Sequence, residues 1–326
     1  MRAIIVEHPG DEDVMRLGDA PSPELGAAEV RIRVHSTAVN RADLLQRRGF
    51  YPPPPGASPI LGLECAGEIL EVGREVPAGL RPGDRVMALL AGGGYAEEVC
   101  VHHGSVLRVP DALDLLAAGG FPEVYLTAYL NVFRIAGARA GSTVLVHGGG
   151  SGVGTAAIQL AREASVGCIV TAGSDDKFER CVALGADAAI NYRSEDFVAS
   201  VSRLTGGEGV DVILDCVGGS YLERNLESLA IGGRLVVIGL TGGASGTLNL
   251  AQLMTRRLQI VGSTLRARSS EEKAEIVSGF TERFGSAVAA GRLRVVVDRV
   301  LPIASAPEAH RVVAASEHFG KVVLAW

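Results

Sequence analysis

The sequence predicts an α/β protein of two domains, one β-rich and one formed around a doubly wound parallel sheet. The chain has 326 residues, which is long enough for two hydrophobic cores. Its first third contains short β-like runs that Gly and Pro interrupt, and beyond residue 122 apolar strands alternate with helices. Because these strands have no polar face, we expect a parallel sheet that is covered on both sides.

The first domain is predicted at residues 1–121. Its β-like runs are RAIIV, EVRIRVHSTAVN, AGEILEVG, DRVMALL and YAEEVCV. Between them, the four consecutive prolines of RGFYPPPPGASP force an extended, exposed segment that no interior strand can contain. This pattern is typical of a partly closed β domain.

The second domain is predicted at residues 122–264 and begins with a connecting helix. That helix is PEVYLTAYLNVFRIA, which starts with Pro122 and repeats apolar residues at helical spacing. The strands that follow are STVLVH, CIVTAG, AAINY, VDVILDCVG, GRLVVIG and LQIVGST, and the helices between them are TAAIQLAREA, DKFERCVALG, EDFVASVSRLT and SYLERNLESLA. The last strand is apolar and lies at the end of the series, so we expect a homodimer through this edge strand.

Residues 265–326 contain a long helix, SSEEKAEIVSGFTERFGSAVAAG, then RVVVDRVLPI, a short helix and GKVVLAW. We expect the two strands of this segment to return to the first domain, which would then be discontinuous.

Composition excludes several classes of function. A net charge of −6 without a basic stripe argues against nucleic-acid binding, and no apolar run approaches the length of a membrane span. The first residues, MRAIIVEHPGDEDV, lack the features of a signal or transit peptide, so a cytoplasmic location is expected. The five scattered cysteines are typical of free thiols in a reducing compartment.

A glycine-rich loop, HGGGSGVG, lies between a predicted strand and a predicted helix. Backbone N–H groups and the positive end of a helix meet at such a loop and stabilise a pyrophosphate. Gly149 can form the tight turn and Gly154 permits close helix packing, but Ser151 replaces the second glycine of G-x-G-x-x-G. Its hydroxyl is a candidate donor to a phosphate or a ribose. The predicted pyrophosphate site comprises Gly149, Gly150, Ser151, Gly152, Val153 and Gly154.

The cofactor is predicted to be NADPH. NAD-specific sites usually carry an acid at the end of the second strand, whereas CIVTAGSDDK has Gly173 and Ser174 there. Lys177 can supply charge to a 2′-phosphate, and Tyr192 can donate its hydroxyl. The alternative is an exposed lysine beside two aspartates and a strand-end tyrosine without a ligand.

Several stretches resemble the medium-chain dehydrogenase/reductase superfamily: NRADLLQRRGFYPPPPGASPILGLECAGEI, RPGDRVMALLAGGGYAEEV and PEVYLTAYLNVF. The chain is more closely similar to the zinc-independent quinone oxidoreductases related to zeta-crystallin. Within them it resembles the tumour-suppressor-inducible NADPH quinone oxidoreductase branch, on SGVGTAAIQL, TAGS, LDCVGGSY and MALLAGGG. In that branch a serine at the position of Ser151 belongs to the pattern. The resemblance implies a GroES-like catalytic domain and a Rossmann-type domain.

The resemblance also implies a function, which is metal-free hydride transfer from NADPH to a small quinone in a cleft between the domains. It places Asn40, Asp43 and Tyr51 on the substrate side and Thr127 near the nicotinamide. Further cofactor contacts carried over from the family are Gly239, Leu265 and Lys321. Two structural alternatives remain open: Asn40 and Asp43 can cap the helix ADLLQRR, and Thr127 can pack inside its own helix.

Two other functions are compatible with the same sequence. One is NADPH-dependent reduction of enones or 2-enoyl thioesters, which uses the same hydride geometry. The other is a slow-turnover, NADPH-bound protein that binds RNA or has a structural role, as zeta-crystallin relatives imply.

No metal site is predicted. The zinc members of the superfamily need a Cys in the stretch that matches VHSTAVN, a His in the stretch that matches GLECAG, and a cluster of four cysteines for a structural zinc. Here the first stretch contains no Cys, Leu63 occupies the His position, and the cysteines are scattered.

Overall fold

The computed structural model describes residues 1–326 and divides the chain into two compact units. The first unit consists of Met1–Leu126 and Leu265–Trp326, and the second of Thr127–Thr264. The predicted α/β class is confirmed, with one β-rich unit and one unit containing a parallel sheet. The division lies inside the helix that starts at Pro122, because the first turns of that helix bond to the first unit: the Tyr125 hydroxyl donates to the Arg294 carbonyl at 2.9 Å.

The strands and helices have the following bounds. The strands are β1 (Arg2–Val6), β2 (Met15–Asp19), β3 (Glu29–Ala38), β4 (Glu64–Val72), β5 (Arg85–Leu89), β6 (Glu98–His102), β7 (Val106–Arg108), β8 (Thr143–His147), β9 (Gly167–Ala172), β10 (Ala188–Asn191), β11 (Val210–Asp215), β12 (Leu229–Val237), β13 (Gln259–Gly262), β14 (Val297–Pro302) and β15 (Lys321–Ala325). The helices are α1 (Arg41–Arg47), α2 (Leu115–Ala118), α3 (Pro122–Ala128), α4 (Gly152–Glu163), α5 (Asp175–Leu184), α6 (Phe197–Leu204), α7 (Leu222–Ser228), α8 (Leu250–Thr255), α9 (Ser270–Ala289) and α10 (Ala306–Ala315).

The first unit contains a two-stranded sheet, β1–β2, and a seven-stranded sheet. The larger sheet has the order β14-β15-β3-β4-β5-β7, and β6 also pairs with β3. Strand β15 runs antiparallel to β3, with Val323 opposite Ala38, so the end of the chain lies beside β3 within this unit. Two apolar clusters fill the unit, one beneath α10 and one inside the curved sheet.

The second unit contains six parallel strands in the order β10-β9-β8-β11-β12-β13. The chain starts in the middle with β8, proceeds outward to β10, and then returns to the other side of β8 at β11. This reversal forms a switch point at the carboxyl ends of β8 and β11, where ligands bind in sheets of this kind. Buried aliphatic residues such as Leu145, Ile213 and Leu235 form the core beneath the helices.

Polar side chains cap several of the helices, among them α5 and α9. The Ser174 hydroxyl accepts the Lys177 N–H at the start of α5, and Gly185 ends that helix with φ of +119°, where a residue with a Cβ is strained. Ser269 and Glu272 form a reciprocal capping box at the start of α9. None of the helices combines the length and the apolar composition needed to span a lipid bilayer.

Two helices of the predicted second domain differ from the sequence prediction. The connecting helix is α-helical only to Ala128; the residues Tyr129–Ile135 are π-helical, and the Ala136 N–H donates to the Asn131 carbonyl five positions earlier at 3.0 Å. Helix α8 lies between the last two strands of the second unit and was not predicted, because its six residues are too few to show a helical period.

Candidate active site

The glycine-rich loop connects β8 to α4 at the switch point of the second unit's sheet. A Cβ on Gly149 would lie 2.6 Å from the Cβ of Val170, and one on Gly154 would lie 2.3 Å from the Gly148 carbonyl oxygen. Gly148 itself has φ of +74°. Only glycine therefore fits these positions without a shift of the backbone. The loop packs directly on β9 and leaves the first N–H groups of α4 at the carboxyl edge of the sheet, an arrangement that fits a dinucleotide pyrophosphate.

Ser151 is the N-cap of α4. Its backbone is extended, and its hydroxyl oxygen accepts the Gly154 N–H at 3.0 Å. A serine hydroxyl has one donor in addition to its lone pairs, so the capping bond leaves the O–H available to an anion. The serine that breaks the glycine pattern thus has a local structural role, and its contact with a phosphate stays a prediction.

The other residues predicted for the cofactor lie in both units. Gly239 follows β12, and a Cβ there would lie 2.9 Å from the Cys216 carbonyl oxygen just beyond β11. Gly239 therefore belongs to the same carboxyl edge of the sheet as the glycine loop. Leu265 is buried and is the first residue of the second stretch of the first unit.

The residues predicted to select the 2′-phosphate lie together at the ends of β9 and β10. A Cβ on Gly173 would lie 2.7 Å from the Tyr192 hydroxyl, so only glycine allows the tyrosine this position. Ser174 caps α5 by accepting the Lys177 N–H at 3.4 Å. The Asp175 carboxylate accepts the Asn191 side-chain N–H at 2.7 Å, which directs its charge toward β10.

His147 supports the loop from beneath. Its Nε2–H donates to the Asn225 amide oxygen at 2.7 Å, and its Nδ1 accepts the Thr171 hydroxyl at 3.1 Å, which fixes the neutral tautomer. Burial lowers the pKa of His147 to about 4. Asp215 in turn accepts the Asn225 side-chain N–H at 3.1 Å. A neutral imidazole with both nitrogens bonded does not serve as an acid.

In the first unit, Glu64, Asn40 and Lys321 form a buried group that we call the Glu64 cluster. The Oε1 atom of Glu64 accepts the Lys321 Nζ at 2.8 Å and the Asn40 Nδ2 at 2.9 Å. Its Oε2 atom accepts the Glu123 backbone N–H at 2.9 Å. The Glu64 side chain is fully buried, so these bonds replace all of its contact with water.

The Lys321 ammonium group is fully occupied inside this cluster. Besides Glu64 it donates to the Asn40 Oδ1 at 2.7 Å and to the Val39 carbonyl at 3.1 Å. An ammonium group has three N–H donors, and these three acceptors use all of them. Lys321 was predicted to reach a cofactor phosphate, but a phosphate would have to displace one of these oxygens. The geometry instead gives Lys321 the task of positioning Glu64 and Asn40.

Asp43 has the structural role that the sequence left open. Its Oδ2 accepts the Asn40 backbone N–H at 2.8 Å at the start of α1, and its Oδ1 accepts the Gly62 N–H at 3.0 Å. Burial raises the pKa of Asp43 to about 6, although both backbone bonds act in the opposite direction. A fully buried carboxyl with both oxygens bonded to the backbone fixes the loop before β4 and offers nothing to a substrate. The Asn40 side chain, in turn, bonds to Glu64 and Lys321 within the Glu64 cluster.

Tyr51 is half-buried beside the proline run and is held by Arg266. The guanidinium carbon lies 5.3 Å from the centre of the Tyr51 ring, and its Nη1 donates to the Tyr51 carbonyl at 3.2 Å. Arg266 also donates to the Ala91 carbonyl and to the Gln46 side chain, at 2.8 and 2.6 Å. Burial raises the pKa of the Tyr51 hydroxyl, as does the nearby Glu123. Tyr51 is thus a rigid phenol that stays protonated at neutral pH.

Glu123 was missed by the sequence analysis. An acid in the first turn of a helix usually lies in water near the helix N-terminus, so the sequence contains no signal of burial at this position. In the structure its Oε2 atom is buried and has no hydrogen-bond partner. Burial raises the pKa of Glu123 to about 8, and the neighbouring Glu64 acts in the same direction.

Thr127 lies at the end of α3, where α-helical bonding gives way to the π-helical stretch. Thr127 is buried, and its carbonyl accepts the Asn131 side-chain N–H at 2.7 Å. The π-helical bonding that begins two residues later is often found at functional sites. Packing and contact with a ligand are therefore both compatible with Thr127.

Two residues lie where the sequence analysis compared this chain with zinc members of the superfamily, and neither is an unpaired metal ligand. Leu63 is buried and aliphatic, and the next residue, Glu64, is neutralised by the Lys321 ammonium group at 2.8 Å. Across residues 1–326, no group of three or more His, Cys, Asp or Glu side chains is arranged to hold a metal ion. The positive charge beside the Glu64 carboxylate is that of Lys321.

The sequence and the fold are similar to those of known proteins. Residues 26–111 match the family model of the alcohol dehydrogenase GroES-like domain, and residues 152–280 match that of zinc-binding dehydrogenases. Quinone oxidoreductase of Rattus norvegicus is 31% identical over 327 residues, covering 99% of this chain and 97% of that protein. The same enzyme of Lama guanicoe is 32% identical with the same coverage.

Two solved structures cover 100% of this chain and are themselves covered completely. The structure of an NAD-dependent alcohol dehydrogenase is 35% identical, with a TM-score of 0.87. The structure of Escherichia coli quinone oxidoreductase complexed with NADPH is 27% identical, also with a TM-score of 0.87.

Proposed function

Because this chain belongs to the medium-chain dehydrogenase/reductase superfamily, among the quinone oxidoreductases related to zeta-crystallin, we propose that it is an NADPH-dependent quinone reductase that works without a metal. NADPH supplies the hydride, and the chain supplies binding, orientation and control of protons. The observation that carries the proposal is the loop from β8 to α4, where Gly149 and Gly154 leave no room for a Cβ.

The pyrophosphate of NADPH would lie against Gly149–Gly154, with the positive end of α4 directed at it. The 2′-phosphate would contact Ser174, Lys177 and Tyr192 at the ends of β9 and β10. The Escherichia coli relative was solved with NADPH, whereas another relative is described as NAD-dependent, so the preference needs a direct test. We expect kcat/KM for NADPH to exceed that for NADH at least tenfold, and Lys177→Ala to remove most of the difference.

Arg203→Ala is a suitable control for Lys177→Ala, because Arg203 carries the same charge in the second unit but lies on α6 and is exposed. It should leave the ratio of the two kcat/KM values unchanged. Equal kcat/KM for NADPH and NADH in the wild type would contradict the assignment of the cofactor.

On the substrate side, Tyr51 is the residue best placed to contact a flat quinone. Its ring is held by Arg266 and its hydroxyl stays protonated, so it can both stack on a quinone and donate to a quinone oxygen. Tyr51→Phe should remove the hydrogen bond alone, whereas Tyr51→Ala should also remove the stacking and raise KM further. Equal effects of the two substitutions would argue that the hydroxyl is the only part used.

Metal-free catalysis is supported by the Glu64 cluster, in which Lys321 and Asn40 occupy the carboxylate. Dialysis against a zinc chelator should leave kcat/KM unchanged. Loss of activity that added zinc restores would contradict this part of the proposal.

A substrate panel separates the quinone from its competitor. NADPH oxidation should be fast with ortho- and para-quinones and slow with enones and 2-enoyl thioesters. The reverse order would replace the quinone with an activated alkene as the substrate. Salt-dependent retention of RNA without quinone turnover would instead favour a binding protein, which the net charge of −6 argues against.

We further propose a homodimer through β13, the outermost strand of the second unit's sheet. One edge of β13 is unpaired, and large apolar side chains are exposed around it: Ile260 is 38% exposed, Met254 73% and Leu250 68%. Light scattering should give twice the chain mass. Ile260→Lys should give a monomer, and Val182→Lys, at an exposed apolar residue on α5, should not. A monomeric wild type would refute the proposal.

A further inference from the structure

Glu64 and Glu123 are two neighbouring carboxyl groups with very different partners. The Glu123 backbone N–H donates to the Glu64 Oε2, which brings the start of α3 against β4. Glu64 also accepts from Lys321 and Asn40, so each of its oxygens is bonded. The Oε2 atom of Glu123 is buried and accepts no hydrogen bond. Both oxygens of Glu64 thus accept hydrogen bonds, whereas the Oε2 atom of Glu123 accepts none.

This difference decides which group carries a proton. Two adjacent carboxyls cannot both stay ionised in a buried site, because their like charges repel and neither is hydrated. The Lys321 ammonium group lies 2.8 Å from the Glu64 Oε1 and bonds directly to it. The proton therefore resides on Glu123, whose pKa is raised to about 8 by burial and by Glu64.

The charged and titratable groups around Glu123 come from every element that packs near it. They are Asp43 on α1, Tyr51 in the loop after α1, Glu64 on β4, Arg266 in the segment before α9, Lys273 on α9 and Lys321 on β15. Asp43 and Glu64 favour the protonated form, whereas Lys273 and Lys321 favour the carboxylate. The four effects leave a carboxyl that is protonated at neutral pH and yet able to release its proton.

A protonated carboxyl has one O–H donor, and burial makes an unused donor costly. No atom of the chain accepts from the Glu123 Oε2. Tyr51, the residue we assign to the substrate, is close enough for Glu123 to raise the pKa of its phenol. An oxygen of a substrate beside Tyr51 is the acceptor that this donor lacks.

We propose, on the basis of the proposed reductase function, that Glu123 is the proton donor of the reaction and that its Oε2–H protonates the substrate oxygen made anionic by hydride transfer. NADPH would supply one hydride, which carries two electrons, and the quinone would gain that hydride. The Glu123 O–H bond then breaks, a new O–H bond forms on the substrate, and Glu123 becomes a carboxylate. Solvent returns the proton after each turnover, because Glu123 is partly exposed as a residue although its Oε2 atom is buried. One substrate thus gains a hydride and a proton in each turnover.

Two lysines stabilise the carboxylate that Glu123 becomes when it releases its proton. Lys273 is buried, and its pKa is lowered by burial while Glu123 acts to raise it. When Glu123 releases its proton, the new carboxylate faces the positive charges of Lys273 and Lys321. The site therefore has countercharge for the product state as well as for the resting state.

The kinetic test compares the wild type with Glu123→Gln, which keeps the shape of the side chain and removes the acidic proton. In the wild type, kcat/KM should be constant at low pH and fall as pH rises through about 8, the pKa of Glu123. In Glu123→Gln, kcat/KM should be about 10²-fold lower at pH 7 and show no such fall. Glu123→Asp should keep the fall with pH at a reduced rate, and the control Glu282→Gln, at an exposed residue of α9, should match the wild type.

The spectroscopic test does not depend on turnover. The infrared spectrum of the NADPH-loaded protein at pH 7 should contain the carbonyl stretch of a protonated carboxyl that is lost in Glu123→Gln. If that band is identical in both proteins, or if Glu123→Gln keeps the wild-type pH profile with less than a twofold change in kcat/KM, the proposal is overturned. A wild type that reduces neither quinones nor enones contradicts the proposed function, whereas turnover with an unchanged variant contradicts only the role of Glu123.

Discussion

Replacing Lys321 with Met tests how much the Glu64 cluster stabilises the first unit. The substitution keeps most of the length of the side chain and removes its charge. Glu64 then remains fully buried with the Asn40 amide and the Glu123 N–H as its only donors. A buried carboxylate without a countercharge is among the most costly groups that a folded protein can contain.

The size of the loss follows from the geometry. At 2.8 Å, and with an effective dielectric constant of about 20, the attraction between the two charges is about 6 kcal/mol. The cost of removing both charges from water offsets much of this attraction when the pair forms, but truncating one partner leaves the other uncompensated. We therefore expect Lys321→Met to lower the free energy of unfolding by about 3–5 kcal/mol.

Urea denaturation at pH 7, followed by circular dichroism and tryptophan fluorescence, measures this loss. The chain contains a single Trp, Trp326, which directly follows β15, so its fluorescence reports on the first unit. The matched control is the double variant Lys321→Met/Glu64→Gln, which removes both charges and should recover at least half of the loss. A loss below about 1 kcal/mol, or a double variant no more stable than the single one, would refute the reasoning.

Three further predictions concern single residues. Ser151→Ala should lower the free energy of unfolding by about 1 kcal/mol in urea denaturation, and Ser151→Gly by only a few tenths, because glycine is tolerated at an N-cap; a larger loss of NADPH affinity in both would show that the hydroxyl also binds phosphate. Gly154→Ala should abolish NADPH binding in a fluorescence titration, since its Cβ would lie 2.3 Å from the Gly148 oxygen; wild-type affinity would contradict the close approach. The pKa of Glu123 is about 8 in the folded protein against an ordinary 4.5. The contribution of this shift to the free energy of unfolding is therefore fully present below pH 4.5 and is lost as pH rises through about 8. Glu123→Gln should therefore gain in Tm relative to the wild type between pH 5 and pH 9, and a constant difference would contradict the shift.

Local sequence patterns predicted the elements of this chain well because those elements depend on local interactions. The alternation of apolar strands with helices identified β8 to β13 and most of the helices between them. The glycine loop was located for the same reason, since a run of glycines between a buried strand and a helix is typical of a phosphate-binding loop. The π-helical stretch after Ala128 was not foreseen, because its residues have ordinary helical spacing and differ only in their hydrogen bonds.

Ser151 shows how a functional hypothesis can overlook a local role. The serine attracted a ligand-based interpretation because it interrupts a cofactor motif. Yet serine is a favoured residue immediately before a helix, and it accepts the N–H of Gly154 three positions later, the usual capping contact. The sequence contained this signal, and the two roles are compatible because capping uses a lone pair and phosphate binding uses the O–H.

Glu123 and Lys321 show the opposite case, in which no local signal exists. Pro122 followed by an acid is an ordinary start of a helix, and Lys321 opens a short apolar strand near the end of the chain. Their roles become visible only when β4 and α3 meet β15. Lys321 then bonds directly to Glu64. The Oε2 atom of Glu123 has no hydrogen-bond partner, and Glu123 keeps a proton. The protonation state of Glu123 thus depends on its burial and on Glu64, 59 positions earlier in the chain, and neither segment alone indicates the environment of these side chains.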